Sequence, residues 1–251
     1  WESPCGRGRP GWHIECSAMA ITFLGESLDI HTGGQDLIFP HHTNEIAQSE
    51  TVTQKKFVNN WIHGGFITID GTKMSKSLGN IYTLQTLREK GNDPMAYRYF
   101  VLGAHYSSPL NFTWEAVEGA ETGLKRLKLK LSQLPKNGKI SENMKNIFLG
   151  AISDDLNTPK ALALIWDLLK DENISDADKK ATILDFDKVI GLKLDLTVSF
   201  EIPENINRLV NDRNQARNDK NFDKSDEIRK EIESFGFKVI DNPSGTEVSP
   251  I

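Results

Sequence analysis

Apolar residues follow two different rhythms along this chain, with the change near residue 110. Before it, short apolar runs alternate with Gly-rich and His-rich turns. The pattern predicts a helix over residues 11–24, a short strand over 28–31 and a second helix over 40–54, which together read as α/β. Residues 66–70 alternate apolar and polar positions, and Asp70-Gly71 is a turn that leads into Lys73, placing that lysine segment on an exposed loop. Two successive helices are expected over 82–90, stopped by Gly91, and over 94–102, opened by Pro94.

From Thr113 the rhythm becomes helical. Val117, Ala120, Leu124, Leu127, Leu131 and Leu134 recur at spacings of three and four, forming one apolar stripe on a helix about 20 residues long with Thr113 as its cap. Such a stripe needs another helix to cover it. Asn157-Thr158-Pro159 caps and starts a helix carrying Leu162, Ile165, Leu168 and Leu169, and residues 175–190 offer a third, with Ser175 and Asp178 at capping-box spacing. A bundle is the simplest packing. Residues 135–142 read as a hinge between helices and 191–203 as a boundary. Beyond it, 207–233 is charged and helical, and 237–240 with 246–249 suggest a terminal hairpin joined by five residues. Trp114 and Trp166 lie in apolar helical contexts and read as core.

The 251 residues suffice for a packed core, and the chain, opening on Trp1-Glu2-Ser3-Pro4, reads as a fragment. With 35 acidic and 30 basic residues the net charge is −5, so a polyanion partner is permitted but not indicated. Two cysteines, Cys5 and Cys16, make no disulfide framework, and no apolar run approaches the ~20 residues that cross a bilayer, so a cytoplasmic setting is the expectation. Local basic tracts do occur. Arg126, Lys128, Lys130, Lys136 and Lys139 form one; Arg208, Arg213, Arg217, Lys220, Lys224, Arg229 and Lys230 form another, diluted by acids and readable equally as solvated helix faces.

The chemistry concentrates in three segments. His41 and Glu45 share one side of a helix, and Cys16 could meet them if its own helix packs alongside; sulfur, nitrogen and oxygen donors together suit Zn²⁺. On spacing alone, a buried small Cys16 with surface or capping histidines stays open. His31-Thr32-Gly33-Gly34-Gln35-Asp36 follows a strand, and its paired glycines allow either close approach of a ligand or a tight strand-to-helix turn. Lys73-Met74-Ser75-Lys76-Ser77 is more specific, since two flexible cations beside small hydroxyl residues can clamp phosphate oxygens.

Residues 11–19 (Gly-Trp-His-Ile-Glu-Cys-Ser-Ala-Met), 41–50 (His-His-Thr-Asn-Glu-Ile-Ala-Gln-Ser-Glu) and 73–80 resemble cysteinyl-tRNA synthetases, a class I aminoacyl-tRNA synthetase family. The likeness extends to Asp154-Asp155-Leu156-Asn157-Thr158-Pro159 and to 223–229, so it covers nearly the whole chain. It implies the second half of a Rossmann-like nucleotide-binding fold, then a helical bundle and a small C-terminal α+β module. The implied domains are a catalytic part over 1–80 including the lysine loop, a connecting region over 81–112, a tRNA-binding bundle over 113–195 and an anticodon-binding module over 196–251.

By the same resemblance, Cys16, His41 and Glu45 bind one Zn²⁺ that reads the cysteine thiolate, with a fourth cysteine supplied from near the family's N-terminus; Cys5 is a poor substitute. Trp12 and His31 wall the amino-acid pocket. Gly33, Gly34 and Asp36 face the nucleotide, Trp61 and His63 lie near adenine, and Lys73 and Lys76 act on ATP, which comes with Mg²⁺. The implied partners are L-cysteine, ATP and tRNA(Cys), and the implied state is a monomer without membrane contact. The family's first half-fold and its phosphate-binding His-Ile-Gly-His-type segment do not occur in this chain, which alone is therefore expected to be inactive. Two other readings remain: a cysteine-adenylating ligase acting on an amino sugar, as in mycothiol biosynthesis, and a non-catalytic RNA-binding paralogue.

Overall fold

The computed structural model describes residues 2–195, 204–235, 237–242 and 245–250. They form two compact units, the first from the described residues within 1–121 and 142–171, the second from those within 122–141 and 172–251.

The first unit opens with a small hairpin of β1 (Glu2–Ser3) and β2 (Gly6–Arg7), which the sequence pattern does not foretell. Helix α1 (Trp12–Leu24) ends at Gly25, whose φ of 96° suits glycine. Strand β3 (Leu28–Gly34) is longer than the expected 28–31 and runs on through the paired glycines. Helix α2 (Thr43–Thr53) starts later than expected, because Phe39 is extended (φ −134°, ψ 132°) and residues 38–42 make a separate wide turn around Pro40. Strand β4 (Val58–Gly64) then pairs in parallel with β3, His31 opposite Trp61 and Gly33 opposite His63. Phe57, Val58 and Leu28 are buried at the start of this pair, where Ala20 and Ile21 of α1 pack on them.

A second sheet follows. Strands β5 (Ile67–Ile69) and β6 (Thr72–Lys73) form a hairpin around Asp70 and Gly71, both left-handed (φ 47° and 74°) as an Asp-Gly turn requires. Helix α3 (Leu84–Glu89) carries a capping box between Thr83 and Thr86, and α4 (Pro94–Leu102) is capped by Asp93 with Pro94 at its first position. Strand β7 (Leu110–Phe112) returns parallel to β5. Ile69, Leu87, Ala96, Phe112 and Val117 form the core beneath.

Helix α5 (Trp114–Gln133) is the expected 20-residue helix, with Thr113 accepting the Ala116 amide and Val117, Leu124, Leu127 and Leu131 buried. Its start belongs to the first unit and its remainder to the second. Helix α6 (Glu142–Ser153) is an element the sequence reading did not single out. With α7 (Thr158–Lys170), capped by Asn157, it completes the first unit, where Trp166 donates to the Tyr99 hydroxyl (3.0 Å) and Trp114 lies under the Lys90 ammonium (4.4 Å), both as framework.

In the second unit α8 (Asp176–Ile190) has the expected Ser175 cap, its side chain accepting the Asp178 amide. The helical stretch expected over 207–233 is two helices, α9 (Glu204–Asn218) and α10 (Phe222–Ser234), parted where Lys220 turns left-handed (φ 58°) and Asn221 caps the second. Strands β8 (Phe237–Asn242) and β9 (Gly245–Pro250) extend further than expected, so two residues join them instead of five; those two, and 196–203 of the expected boundary, lie outside the described residues. Ile206, Val210, Ile228, Ile232 and Val239 are the core of this module.

Candidate active site

Parallel strands β3 and β4, connected through α2, end side by side at Gly33-Gly34 and His63-Gly64. In open α/β sheets ligands gather at the carboxyl ends of such strands. Side chains alternate across a strand, so His31, Gly33, Trp61 and His63 share one face. On that face the Trp61 ring lies 4.8 Å from His31, 4.6 Å from His42 and parallel to His63 (4° between planes). His42 bonds His63 through Nδ1 and Nε2 at 2.8 Å. Burial, and then the neighbouring imidazoles, push its pKa down to about 4, so His42 is a neutral ring at ordinary pH.

Gly33 makes this packing possible. A Cβ there would stand 2.6 Å from His42 Cε1 and 2.9 Å from Nε2. At Gly34 a Cβ would meet Asp36 Oδ1 at 2.5 Å, so the exposed Asp36 carboxylate folds back over the glycine.

Helix α2 supplies the second layer. Glu45 is fully buried (0% exposed), and among the described residues neither of its carboxylate oxygens receives a well-aligned hydrogen bond. His31 Nε2 stands 3.3 Å from one oxygen and His41 Nε2 3.2 Å from the other. The donor atoms of Cys16, His41 and Glu45 lie within 4.8 Å of one another, as do those of His31, His42 and Glu45. Helix α1 therefore brings Cys16 to the helix pair His41/Glu45, the meeting that spacing alone left open. Burial raises the Glu45 carboxyl, with the His31 charge opposing it, and burial together with the Glu45 charge raises the Cys16 thiol. Burial also lowers His41. A buried, donor-poor carboxylate beside a thiol and a neutral imidazole fits a thiophilic divalent cation, which accepts all three donor types.

Trp12, at the start of α1, covers this group from the solvent side, its ring 4.2 Å from His41. His13 Nδ1 bonds His41 Nδ1 at 2.7 Å, leaving His41 Nε2 turned to Glu45. Sequence reading passed over His13 and His42; the only signal available was their adjacency to Trp12 and His41 within the same motifs. Cys5 is exposed in the terminal hairpin turn.

The lysine loop is built on the second sheet. Lys73 ends β6, and Lys76 opens a single 3₁₀ turn capped by the Ser75 hydroxyl. Asn80 ties the loop together, accepting from the Ser75 amide (2.8 Å) and donating to the Lys73 carbonyl (3.1 Å). Both lysine side chains are exposed.

Within the second basic tract, Arg213 is not a surface cation. Arg213 is buried (1% exposed) and gives Asp241 two hydrogen bonds of 2.9 and 2.7 Å; Arg217 approaches the same carboxylate at 2.9 Å and Arg229 at 4.0 Å. Arg208 pairs with Glu204. Much of this charge ties α9, α10 and β8 together.

Comparison with known proteins follows the same lines. Residues 1–122 match the model of the tRNA synthetases class I (C) catalytic domain, and residues 148–192 match the DALR domain. The cysteine--tRNA ligase 1 of Burkholderia lata is 45% identical over 248 residues, covering 98% of this chain and 53% of the relative. That of Caldicellulosiruptor saccharolyticus is 44% identical over 274 residues, covering 100% of this chain and 59% of the relative. The chain thus spans little more than half the length of the curated relatives it matches. With a catalytic-domain match over residues 1–122, which hold the histidine cluster, and a DALR match over 148–192, the chain is similar to the class I tRNA synthetases and, among them, to the cysteine--tRNA ligases.

Proposed function

We propose that the whole protein joins L-cysteine to tRNA(Cys) at the expense of ATP, and that these residues supply its thiol-reading and phosphate-handling side. The observation that carries the reading is Glu45, a fully buried carboxylate whose near neighbours are the His31 and His41 imidazoles and the Cys16 thiol. Cys16, His41 and Glu45 would hold Zn²⁺ together with a ligand from outside this chain. Bound there, the ion supplies an acceptor for the substrate thiolate, a far better ligand than the serine hydroxyl, so discrimination needs no editing.

The protein groups do the rest. Trp12 and His31 wall the cysteine side chain, while Gly33 and Gly34 let the nucleotide approach the strand ends, with Asp36 on the ribose and Trp61 and His63 toward the base. In the first step the cysteine carboxylate attacks the α-phosphorus of ATP and pyrophosphate leaves; in the second, a terminal adenosine hydroxyl of tRNA takes the cysteinyl group. No protein nucleophile is required. Lys73 and Lys76, on the exposed loop, neutralise charge developing on the phosphates of ATP bound with Mg²⁺. We assign 1–80 to catalysis, 81–112 to the connection, 113–195 to the inner tRNA corner and 196–251 to the anticodon end, in a cytoplasmic monomer. No helix among the described residues is long and apolar enough to cross a membrane.

The test is zinc stoichiometry and cysteine-dependent ATP–pyrophosphate exchange in the full-length protein. One tightly bound zinc, exchange with cysteine and none with serine are expected, and Cys16→Ser should lose the metal. Equal exchange with serine would refute the thiol-reading site. No exchange with any amino acid would leave an RNA-binding role as the better account.

A further inference from the structure

Between α4 and β7, residues His105–Ser108 touch the strand ends on one side and the α6–α7 corner on the other. Toward the site, Gly65, which directly follows β4, donates its amide to the Tyr106 carbonyl (2.7 Å), and Gln35, which directly follows β3, donates its side chain to the Ser107 carbonyl (2.7 Å). The approach is close. A Cβ on Gly65 would stand 2.5 Å from the Ser108 carbonyl oxygen, so only glycine lets this loop lie against the chain leaving β4. Away from the site, the Tyr106 hydroxyl donates to Asp155 Oδ1 (2.7 Å), His105 Nε2 lies 2.8 Å from the Asp155 carbonyl oxygen, and His105 Nδ1 pairs with the Ser107 hydroxyl at 2.7 Å.

The corner itself is strained. Asp155 and Leu156 are consecutive non-glycine residues in the left-handed region, at φ 51° and 53°. A conformation that L-residues avoid persists only where its surroundings hold it, and the contacts to Asp155, from Tyr106 to its carboxylate and from His105 to its carbonyl oxygen and, at 3.7 Å, its carboxylate, come from the same loop that braces Gln35 and Gly65.

We infer that Tyr106 and Asp155 are positioning residues for the nucleotide-binding ends of β3 and β4, acting through the 105–108 loop. The inference deepens the ligase reading and rests on it for the identity of the ligand. The line of contact runs from the α6–α7 corner through Tyr106 and the loop carbonyls to Gln35, next to Asp36, and to Gly65, two residues beyond His63. Slackening the Tyr106–Asp155 bond therefore loosens the nucleotide side and leaves Cys16, His41 and Glu45, which sit on α1, in the 38–42 turn and on α2, undisturbed.

Two readouts test it. In the chain itself, Tyr106→Phe should speed hydrogen exchange at the Gly65 amide about fivefold, the worth of one partly exposed hydrogen bond. Asp155→Asn, which keeps an acceptor oxygen and tolerates the left-handed backbone, should leave that amide near wild type. In the full-length protein, Tyr106→Phe should raise the KM for ATP in cysteine-dependent exchange by a similar factor, with the KM for cysteine and the zinc content unchanged. A fall in melting temperature without faster Gly65 exchange would overturn the inference, making the contact a structural tie only. Faster Gly65 exchange with an unchanged KM for ATP would overturn it as well. Wild-type protein without exchange activity would sink the ligase reading separately, and the Gly65 amide would still decide the tie.

Discussion

Gly33→Ala adds a single methyl group at the point where β3 meets the histidine cluster. Its backbone is not left-handed, so the change carries no conformational penalty and its cost is purely one of space. The new carbon would lie 2.6 Å from His42 Cε1, 2.9 Å from its Nε2 and 3.0 Å from Leu37 Cδ1. His42 cannot swing away cheaply, because it is buried, bonded to His63 at 2.8 Å and packed against Trp61 and His31. Overpacking of this kind costs about 1–3 kcal/mol, and losing the His42–His63 bond would add about 1 more. Of the chain's five tryptophans, those among the described residues, Trp12, Trp61, Trp114 and Trp166, all belong to the first unit, so tryptophan fluorescence during urea unfolding reports on that unit. The midpoint should fall by an amount worth about 2–4 kcal/mol, with an unchanged slope. Gly119→Ala is the control. That glycine lies inside α5 with nothing within 4 Å of a new Cβ, and the substitution should raise stability by about 0.5–1 kcal/mol. If Gly33→Ala matched wild type, the ring cluster would be looser than drawn, and Gly33 could not be said to hold His42 in place.

Glu45→Gln should weaken zinc binding by about 100-fold in chelator competition, while stabilising the metal-free chain because a fully buried carboxyl group is replaced by a neutral amide; retained affinity would take Glu45 out of the ligand set. Asp241 is held down to about 2, chiefly by the hydrogen bonds from Arg213, so its contribution is full above its ordinary value near 3.8 and is lost as pH falls from there toward 2. Partial exposure limits that contribution to about 1–2 kcal/mol, and Asp241→Asn should flatten the acid limb of unfolding followed by circular dichroism in the second unit. His42, with its pKa lowered from 6.5 to about 4, binds fewer protons folded than unfolded in that window. The first unit should therefore lose stability as pH falls from about 6.5 to 4, and His42→Gln should remove part of that slope; an identical slope would place the titration elsewhere.

What could be read from sequence was what local spacing governs. The stripe from Val117 to Leu131, the caps at Asn157 and Ser175 and the Asp70-Gly71 turn are settled within a few residues of themselves, and each stands where the pattern put it. Helix α6 was equally legible, since Met144, Ile147, Phe148 and Ala151 keep helical spacing, and the hinge before it drew the eye away. Other features needed tertiary information. Charge identity does not tell which way an arginine points, so Arg213 read as a surface cation although it is buried on Asp241. The extended Phe39 before Pro40 shortens α2, a preference visible in the dipeptide, but the full wide turn of 38–42 depends on how His41 and His42 pack.

The same division runs through the candidate site. His41 and Glu45 face together because they are four residues apart where the 38–42 turn runs into α2, whereas Cys16 joins them only through the packing of α1 on α2. That packing places a thiol, a carboxyl and an imidazole where burial pushes each toward its uncharged form. An apolar trio of similar volume would fill the space at less cost, since a buried carboxylate without donors is among the most expensive groups a core can hold. The arrangement makes energetic sense if a cation supplies the positive charge beside Glu45 and Cys16; binding one there would displace the protons of the thiol and carboxyl into solvent. The residues that would be worst as core are thus the ones that would be best as ligands, and Trp12, His13 and His31 are arranged around them in the manner of a pocket that orients and shields such a centre.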